Sequence, residues 1–376
     1  MTYQAKAELI KHYRKQYQRA TKKRKSEILG FITEATGYSR KHAIALLNHR
    51  PRLKSPSRRT KGSRYARLYE TLRFIWATSN FLCGKRLAPF LPELLGALKR
   101  HGEISISDED EALLLHVSAA TIDRLLTPAR REIRLRGRAT TKPGTVLRNQ
   151  IPVRTFADWN DDRPGFLEID LVAHCADSAS GEYINTLDMT DISTGWTVAA
   201  AFMGRSERFC TQAIEEAKAL FPFPILGLDS DNGSEFINYH LKSYCERNKI
   251  TFTRSRPWKK NDSAHIEQKN WDIVRKMIGY ARLDTDDQLD VLKRIYNLLA
   301  LYQNYFQPSC KLLQKTRIGA RVTKKYDTAQ TPAQRLLSRQ DTPEPVKENL
   351  QANFQGMNPA QLLRTINQLV DDLYNL

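Results

Sequence analysis

The sequence has little of what marks a secreted, membrane-embedded or zinc-knuckle protein. There are five cysteines in 376 residues (Cys83, Cys175, Cys210, Cys245 and Cys310), far apart, with no CxxC and no Cys/His cluster. A disulfide scaffold or structural zinc site has nothing to build on, and the thiols read as reduced and mostly buried. No apolar run approaches the ~20 residues that span a bilayer. Residues 1–16 carry charges with no apolar stretch behind them, so no secretory signal is expected and a cytoplasmic location is the default. A lipidation motif and a long basic amphipathic helix with aromatic anchors are also missing, which argues against a membrane partner. Hydrophobic residues at 41% and charged residues at 27% exclude a mainly disordered chain. The length suits two or three domains.

Acidic residues are scarce in one half only. Residues 1–150 hold 32 Lys and Arg against 12 Asp and Glu, while the remainder holds 28 against 29. The net charge of +19 therefore belongs to the N-terminal part, as expected of a polyanion-binding region joined to a near-neutral one. Nucleic acid is the favoured partner.

Residues 4–20 read as a basic helix with Ala7, Ile10, Tyr13 and Tyr17 at helical spacing. A second helix follows, with an apolar stripe of Ile28, Leu29, Ile32 and Ala35. Gly37 ends it, and Ser39 caps a third carrying Ala43, Ala45, Leu46 and Leu47. Helix, glycine turn and capped helix make a helix-turn-helix pattern, which places Arg40, Lys41 and His42 at the end that enters a DNA groove. A plain helical hairpin with a solvated basic face is the alternative. Residues 51–64 are a basic linker. Residues 65–136 read as a second helical, helix-turn-helix-like domain, in which Ser118 caps a helix with Thr121 and Arg124 outward and Ile122, Leu125 and Leu126 inward. Residues 137–155 are a second linker.

Beyond it the pattern changes to short β-rich runs at 165–175, 182–191 and 195–203. A helix at 206–220, a strand at 224–230, a helix at 235–248, a strand at 250–254 and a helix at 263–281 follow. Three antiparallel strands and then alternating helix and strand predict an α/β domain with a mixed sheet over 156–305. The amphipathic segment 289–307 completes it. Residues 306–376 are a C-terminal region: 316–330 basic and broken, another possible DNA contact, then a helix from Asn358 and Pro359. Leu362, Ile366, Leu369, Leu373 and Leu376 form a seam there, for the chain's own body or for a second subunit.

Three acids are the candidate catalysts. Asp170 lies inside an apolar strand, on the face of Glu168 and Val172. Asp231 follows a strand and opens Asp-Asn-Gly. Glu267 lies in the first turns of a helix, with 35 residues between it and Asp231. Taken singly, they could be a strand-surface residue, a turn former and a solvated helix residue. Together they could hold two Mg²⁺ about 4 Å apart for in-line displacement at phosphorus. Arg254, Arg256, Lys259 and Lys260 surround Trp258 in a loop suited to gripping phosphates and stacking. His265, Gln268 and Lys269 are further DNA-contact candidates. His174 and Cys175 read as core or surface residues rather than ligands.

The segments EIDLV, LDSDNGSEF and SRPWKKNDSAHIEQKNW resemble the catalytic core of DDE transposases related to retroviral integrases. The resemblance covers about residues 160–285, and the helix-turn-helix ahead of it fits bacterial insertion-sequence transposases. It implies a ribonuclease-H-like core, a mixed five-stranded sheet with helices, preceded by all-α helix-turn-helix domains. It implies Mg²⁺-dependent strand cleavage and strand transfer, with Mn²⁺ able to substitute, and Asp170, Asp231 and Glu267 as catalytic metal ligands. It also implies double-stranded DNA partners (element ends and target), a homo-oligomer on DNA, and a bacterial, nucleoid-associated location. Glu168, Asp188, Asp191, Asp229 and Glu235 are set aside as neighbours of these acids. The His/Cys zinc module of retroviral integrases has no counterpart here. A non-catalytic repressor and a structure-specific nuclease on the same fold are the alternatives.

Overall fold

In the computed structural model the described residues are 3–48, 64–132, 163–204, 207–230, 239–254, 270–318 and 321–376. They form two compact units, residues 1–63 and 64–376.

The first unit is three helices: α1 (Tyr3–Arg19), α2 (Lys22–Thr36) and α3 (Arg40–Asn48). Gly37 ends α2 in the left-handed conformation (φ 70°), and its N–H returns to the Thr33 carbonyl. That geometry is cheap for glycine, and it sets the short turn into α3. The core is Ile10, Tyr17, Ile28, Leu29, Ile32, Ala43 and Leu47. Ala7, Ala35 and Ala45, expected inside, are exposed, and Thr36 is buried. Ala43 is the small residue that the core does take in, at the crossing of α3 with the other two helices.

The second unit begins with a 3-10 turn (Ala66–Leu68), then α4 (Tyr69–Thr78), α5 (Gly84–Arg100), α6 (Asp108–Leu115), α7 (Ala119–Leu125) and α8 (Thr127–Glu132). The acidic first turn of α6 suits the positive end of the helix dipole. The sheet follows, with β1 (Phe166–Ala173), β2 (Ile184–Asp191), β3 (Thr197–Met203), β4 (Gly227–Ser230) and β5 (Thr251–Arg254). Its order is β3-β2-β1-β4-β5. β1 to β3 are antiparallel, and β4 and β5 run parallel to β1. The two parallel connections carry α9 (Glu207–Lys218) and α10 (Tyr239–Arg247), as crossovers require. The mixed five-stranded sheet expected from the sequence is present.

A π-helical turn, Asn270–Arg275, numbered α11, leads to α12 (Asp286–Phe306). Of the helix expected at 263–281, the described part ends at Arg275, before Gly279 at φ 85°. A Thr285/Gln288 capping box opens α12. Buried Asn304 on α12 bonds both the N–H (2.8 Å) and the carbonyl (2.7 Å) of Thr197, closing the open side of β3. The stretch expected to be broken is a ribbon, β6 (Leu312–Ile318) paired antiparallel with β7 (Arg321–Tyr326). Alternating β-branched and long side chains favour strands there despite the charge. Helices α13 (Pro332–Leu337), α14 (Glu344–Gly356) and α15 (Pro359–Asn375) complete the chain.

Helices α4 and α5, read in sequence as part of a separate domain, share one hydrophobic core with the sheet, α12 and α15. Tyr302 Oη donates to the Thr78 carbonyl at 2.6 Å, and Gln307 to that of Ser79 at 3.0 Å. The seam on α15 packs inward, with Ile366, Leu369 and Leu373 buried and Leu376 exposed. Among the described residues no helix is long and apolar enough to cross a membrane.

Candidate active site

Asp170 sits in the middle of the central strand. Residues paired across a ladder share a face. The pairs Asp170–Asp188, Glu168–Thr190 and Glu168–Asp229 therefore put Glu168, Asp170, Asp188 and Asp229 on one face. Asp170 is half-buried, and the other three are buried. The Leu171 N–H donates to Asp170 Oδ1 at 2.9 Å, which fixes the carboxylate's direction. Asp229 accepts a short hydrogen bond from Thr253 on β5.

Three of the acids set aside in the sequence thus share a face with Asp170. Alternation along β1 gives Glu168, but only strand pairing reveals Asp188 and Asp229. The fourth, Asp191, is a turn-maker: it accepts from the Gly165 N–H (2.8 Å), the Thr194 N–H (2.7 Å) and Thr194 Oγ1 (2.6 Å). Burial raises its pKa, and these hydrogen bonds oppose the rise.

Further along the same face runs a buried polar chain that the sequence did not disclose. His174, at the end of β1, has Nε2 2.8 Å from Thr186 Oγ1, which is 2.6 Å from Tyr296 Oη on α12. Burial, and then the Arg275 guanidinium, push the His174 pKa down to about 3. The imidazole is therefore neutral near pH 7. Arg275 on α11 donates to the Ala173 carbonyl at 3.2 Å, and burial lowers its pKa. Helix α11, the first described segment after Glu267, is thereby tied to the strand that carries Asp170. Cys175, next in the chain, is buried and bridges to Arg282.

Asp231 and Glu267 lie outside the described residues, as do Glu235, Arg256, Trp258, Lys259, Lys260, His265, Gln268 and Lys269. The Arg254 backbone pairs with Ser230. Among the described residues no group of three His, Cys, Asp or Glu side chains gathers to hold a metal ion. Arg40, Lys41 and His42 are exposed on the first turn of α3, with Arg40 3.2 Å from Ser26 Oγ. On α7, Arg124 is exposed and donates to Thr121 Oγ1 at 2.9 Å. Ser118 caps that helix as expected.

Residues 161–260 match the family model described as the integrase core domain. That span includes Asp170 and Asp231 and stops short of Glu267. Together with the strand order, the match makes the sheet domain a ribonuclease-H-like core of integrase type. Among solved structures, the chain is similar to the catalytic core of HTLV-2 integrase in complex with magnesium (15% identity, TM-score 0.30, 39% of this chain and 90% of that one). It is also similar to the catalytic core of BIV integrase (15% identity, TM-score 0.30, 45% and 91%). Over 332 residues the chain is 43% identical to the uncharacterized protein y4rM of Sinorhizobium fredii, covering 88% of this chain and 94% of that protein. The chain belongs to the same family as y4rM.

Proposed function

We propose that the protein is a DDE-type transposase, an enzyme that cuts DNA strands at the inverted-repeat ends of a mobile element and transfers them to target DNA. One observation carries the reading. Asp170 lies on an acid-rich face of the central strand, and Ile169 pairs with Ser230, the last residue of the parallel neighbour β4. Asp170 and Asp231 are the next residues of these two chains. Asp231 thus follows directly in sequence on the carboxyl end of β4, and the carboxyl ends of parallel strands are where ligand sites of such sheets form.

Asp170, Asp231 and Glu267 are the proposed ligands of two Mg²⁺, with Mn²⁺ able to substitute. The donor set suits a hard cation, because it is all carboxylate, and the buried acids beside Asp170 favour a positive charge. Bound Mg²⁺ would supply activation of the attacking hydroxyl and shielding of the leaving oxygen. The chain's own residues hold and aim: the Leu171 N–H orients Asp170, and Arg275 ties α11 to β1. In this reading Arg40, Lys41, His42, Thr121 and Arg124 contact DNA from the helical segments. Arg254, Arg256, Trp258, Lys259, Lys260 and Lys269 contact it beside the acids. Joining two ends requires at least two subunits.

The test incubates the protein with duplexes bearing the sequences that flank its own gene, with Mg²⁺ or EDTA, beside Asp170→Asn, Asp231→Asn and Glu267→Gln variants. Metal-dependent joining that each variant loses by at least about 10²-fold, with DNA binding kept, is the expected outcome. Binding without cleavage would make the protein a repressor, and cleavage without joining a nuclease.

A further inference from the structure

The β6–β7 ribbon has no part in the site described above. Residues 311–326 contain six Lys and Arg and no Asp or Glu, whereas the rest of the chain beyond residue 150 holds 22 Lys and Arg against 29 Asp and Glu. The ribbon is an isolated basic element on an otherwise acidic half of the protein. Residues 312–317 and 322–326 are exposed throughout, so neither face is covered.

A two-stranded ribbon without a covered face is marginal alone, and this one is held at its root. Asp327 accepts from the Lys311 N–H (2.5 Å) and pairs with half-buried Arg335 (2.7 Å), which donates to the Ser309 carbonyl (2.8 Å). The Lys311 ammonium donates to the carbonyls of Ile192 and Ser193 in the β2–β3 turn. Lys85 of α5 lies 4.8 Å over the Tyr326 ring. The root is fixed while the strands stand in solvent.

The register brings like charges together. Lys315 pairs directly with Lys324, and Arg317 with Val322, so one face presents Lys315, Arg317, Val322 and Lys324, while Lys325, opposite Gln314, lies on the other and Leu313 falls at a register shift. Directly opposed like charges destabilise a ribbon, and among the described residues Lys315, Lys324 and Lys325 make no ion pair. A polyanion laid against the ribbon removes that repulsion. Seven residues at about 3.3 Å each give a ribbon roughly 23 Å long, and the major groove admits a two-stranded ribbon. Exposed Leu313 and Val322 are interleaved with cations rather than gathered in a patch, and edge lysines discourage strand addition by a second copy.

We propose that the β6–β7 ribbon is a duplex-DNA-binding arm, in which Lys315, Lys324 and Lys325 hold phosphates from a rigidly rooted hairpin. It rests on the proposed function for the class of partner only. The test measures binding of the full-length protein to a fluorescent 30-bp duplex by anisotropy, from 50 to 300 mM KCl, without divalent metal. The proteins are wild type, Lys315→Ala/Lys324→Ala/Lys325→Ala and the matching Lys→Arg triple. Each lost phosphate contact lowers the slope of log K against log salt by about 0.9. The Ala triple is expected to lose up to about 2.7 of slope with its urea midpoint not lowered, and the Arg triple to keep the slope. An unchanged slope in the Ala triple, or a loss the Arg triple shares, overturns the proposal. So does a loss confined to binding of phosphatidylserine vesicles, or to self-association in sedimentation, with DNA binding intact. If the wild type neither cuts nor joins DNA while the slope result stands, the transposase reading fails and the arm survives.

Discussion

His174 converts the architecture of the core into a pH dependence that can be measured. Its imidazole is 1% exposed, with Nε2 on Thr186 and a pKa lowered from 6.5 to about 3. The charged group that acts on it is Arg275 of α11, and Thr186 links it to the Tyr296 hydroxyl of α12. In the unfolded chain His174 takes up a proton as pH falls through about 6.5; in the folded chain it stays neutral until far lower. The unfolded state then binds more protons, so stability is complete above 6.5 and falls with pH below it, by about 1.4 kcal/mol per unit once well below 6.5. Between pH 7 and pH 5 the loss from this one group is roughly 2 kcal/mol. The assay compares urea unfolding of the wild type and His174→Gln at pH 7, 6 and 5. Glutamine can reach Thr186 but carries no titrating proton, so the stability difference between the two proteins should shrink or reverse by about 2 kcal/mol as pH falls. Parallel decline of both proteins would refute the assignment of a buried neutral imidazole.

Two further packing predictions follow from measured contacts. A Cβ on Gly227 of β4 would lie 2.5 Å from the Phe166 ring on β1, so Gly227→Ala should cost about 1–3 kcal/mol. Phe166→Leu should recover part of it in a double-mutant cycle of denaturant midpoints. Asn304→Leu removes the partners of both Thr197 backbone groups, and at about 1–3 kcal/mol for each buried group left unmet the loss should be roughly 2–6 kcal/mol by urea unfolding. For the site, Asp170→Asn should abolish metal-dependent strand transfer in a gel assay while the unfolding midpoint moves little; a large stability loss instead would make Asp170 structural.

What the sequence disclosed follows the range of the forces involved. Strand alternation, caps and turns are local, so β1 to β5, the Gly37 turn and the Ser118 cap are readable from residues close in the chain. Asp170 stood out for the same reason, as an acid inside an apolar strand. The pairing of β1 with β4 is not local: nothing in 166–173 says that Asp229 lies opposite Glu168, so acids dismissed as neighbours in sequence turned out to be neighbours in space. The same holds for the helical segment after residue 64. Its helical, linker-flanked pattern suggests a detached binding module, yet Tyr302 and Gln307 of α12 satisfy the open carbonyls of Thr78 and Ser79 at the end of α4. Buried carbonyls without partners cost about as much as the hydrogen bonds they forgo. Helix α4 therefore ends where it does because α12 supplies the donors. That dependence fixes α4 to the core through the same helix, α12, whose Tyr296 hydrogen-bonds to Thr186 of the acid-bearing sheet.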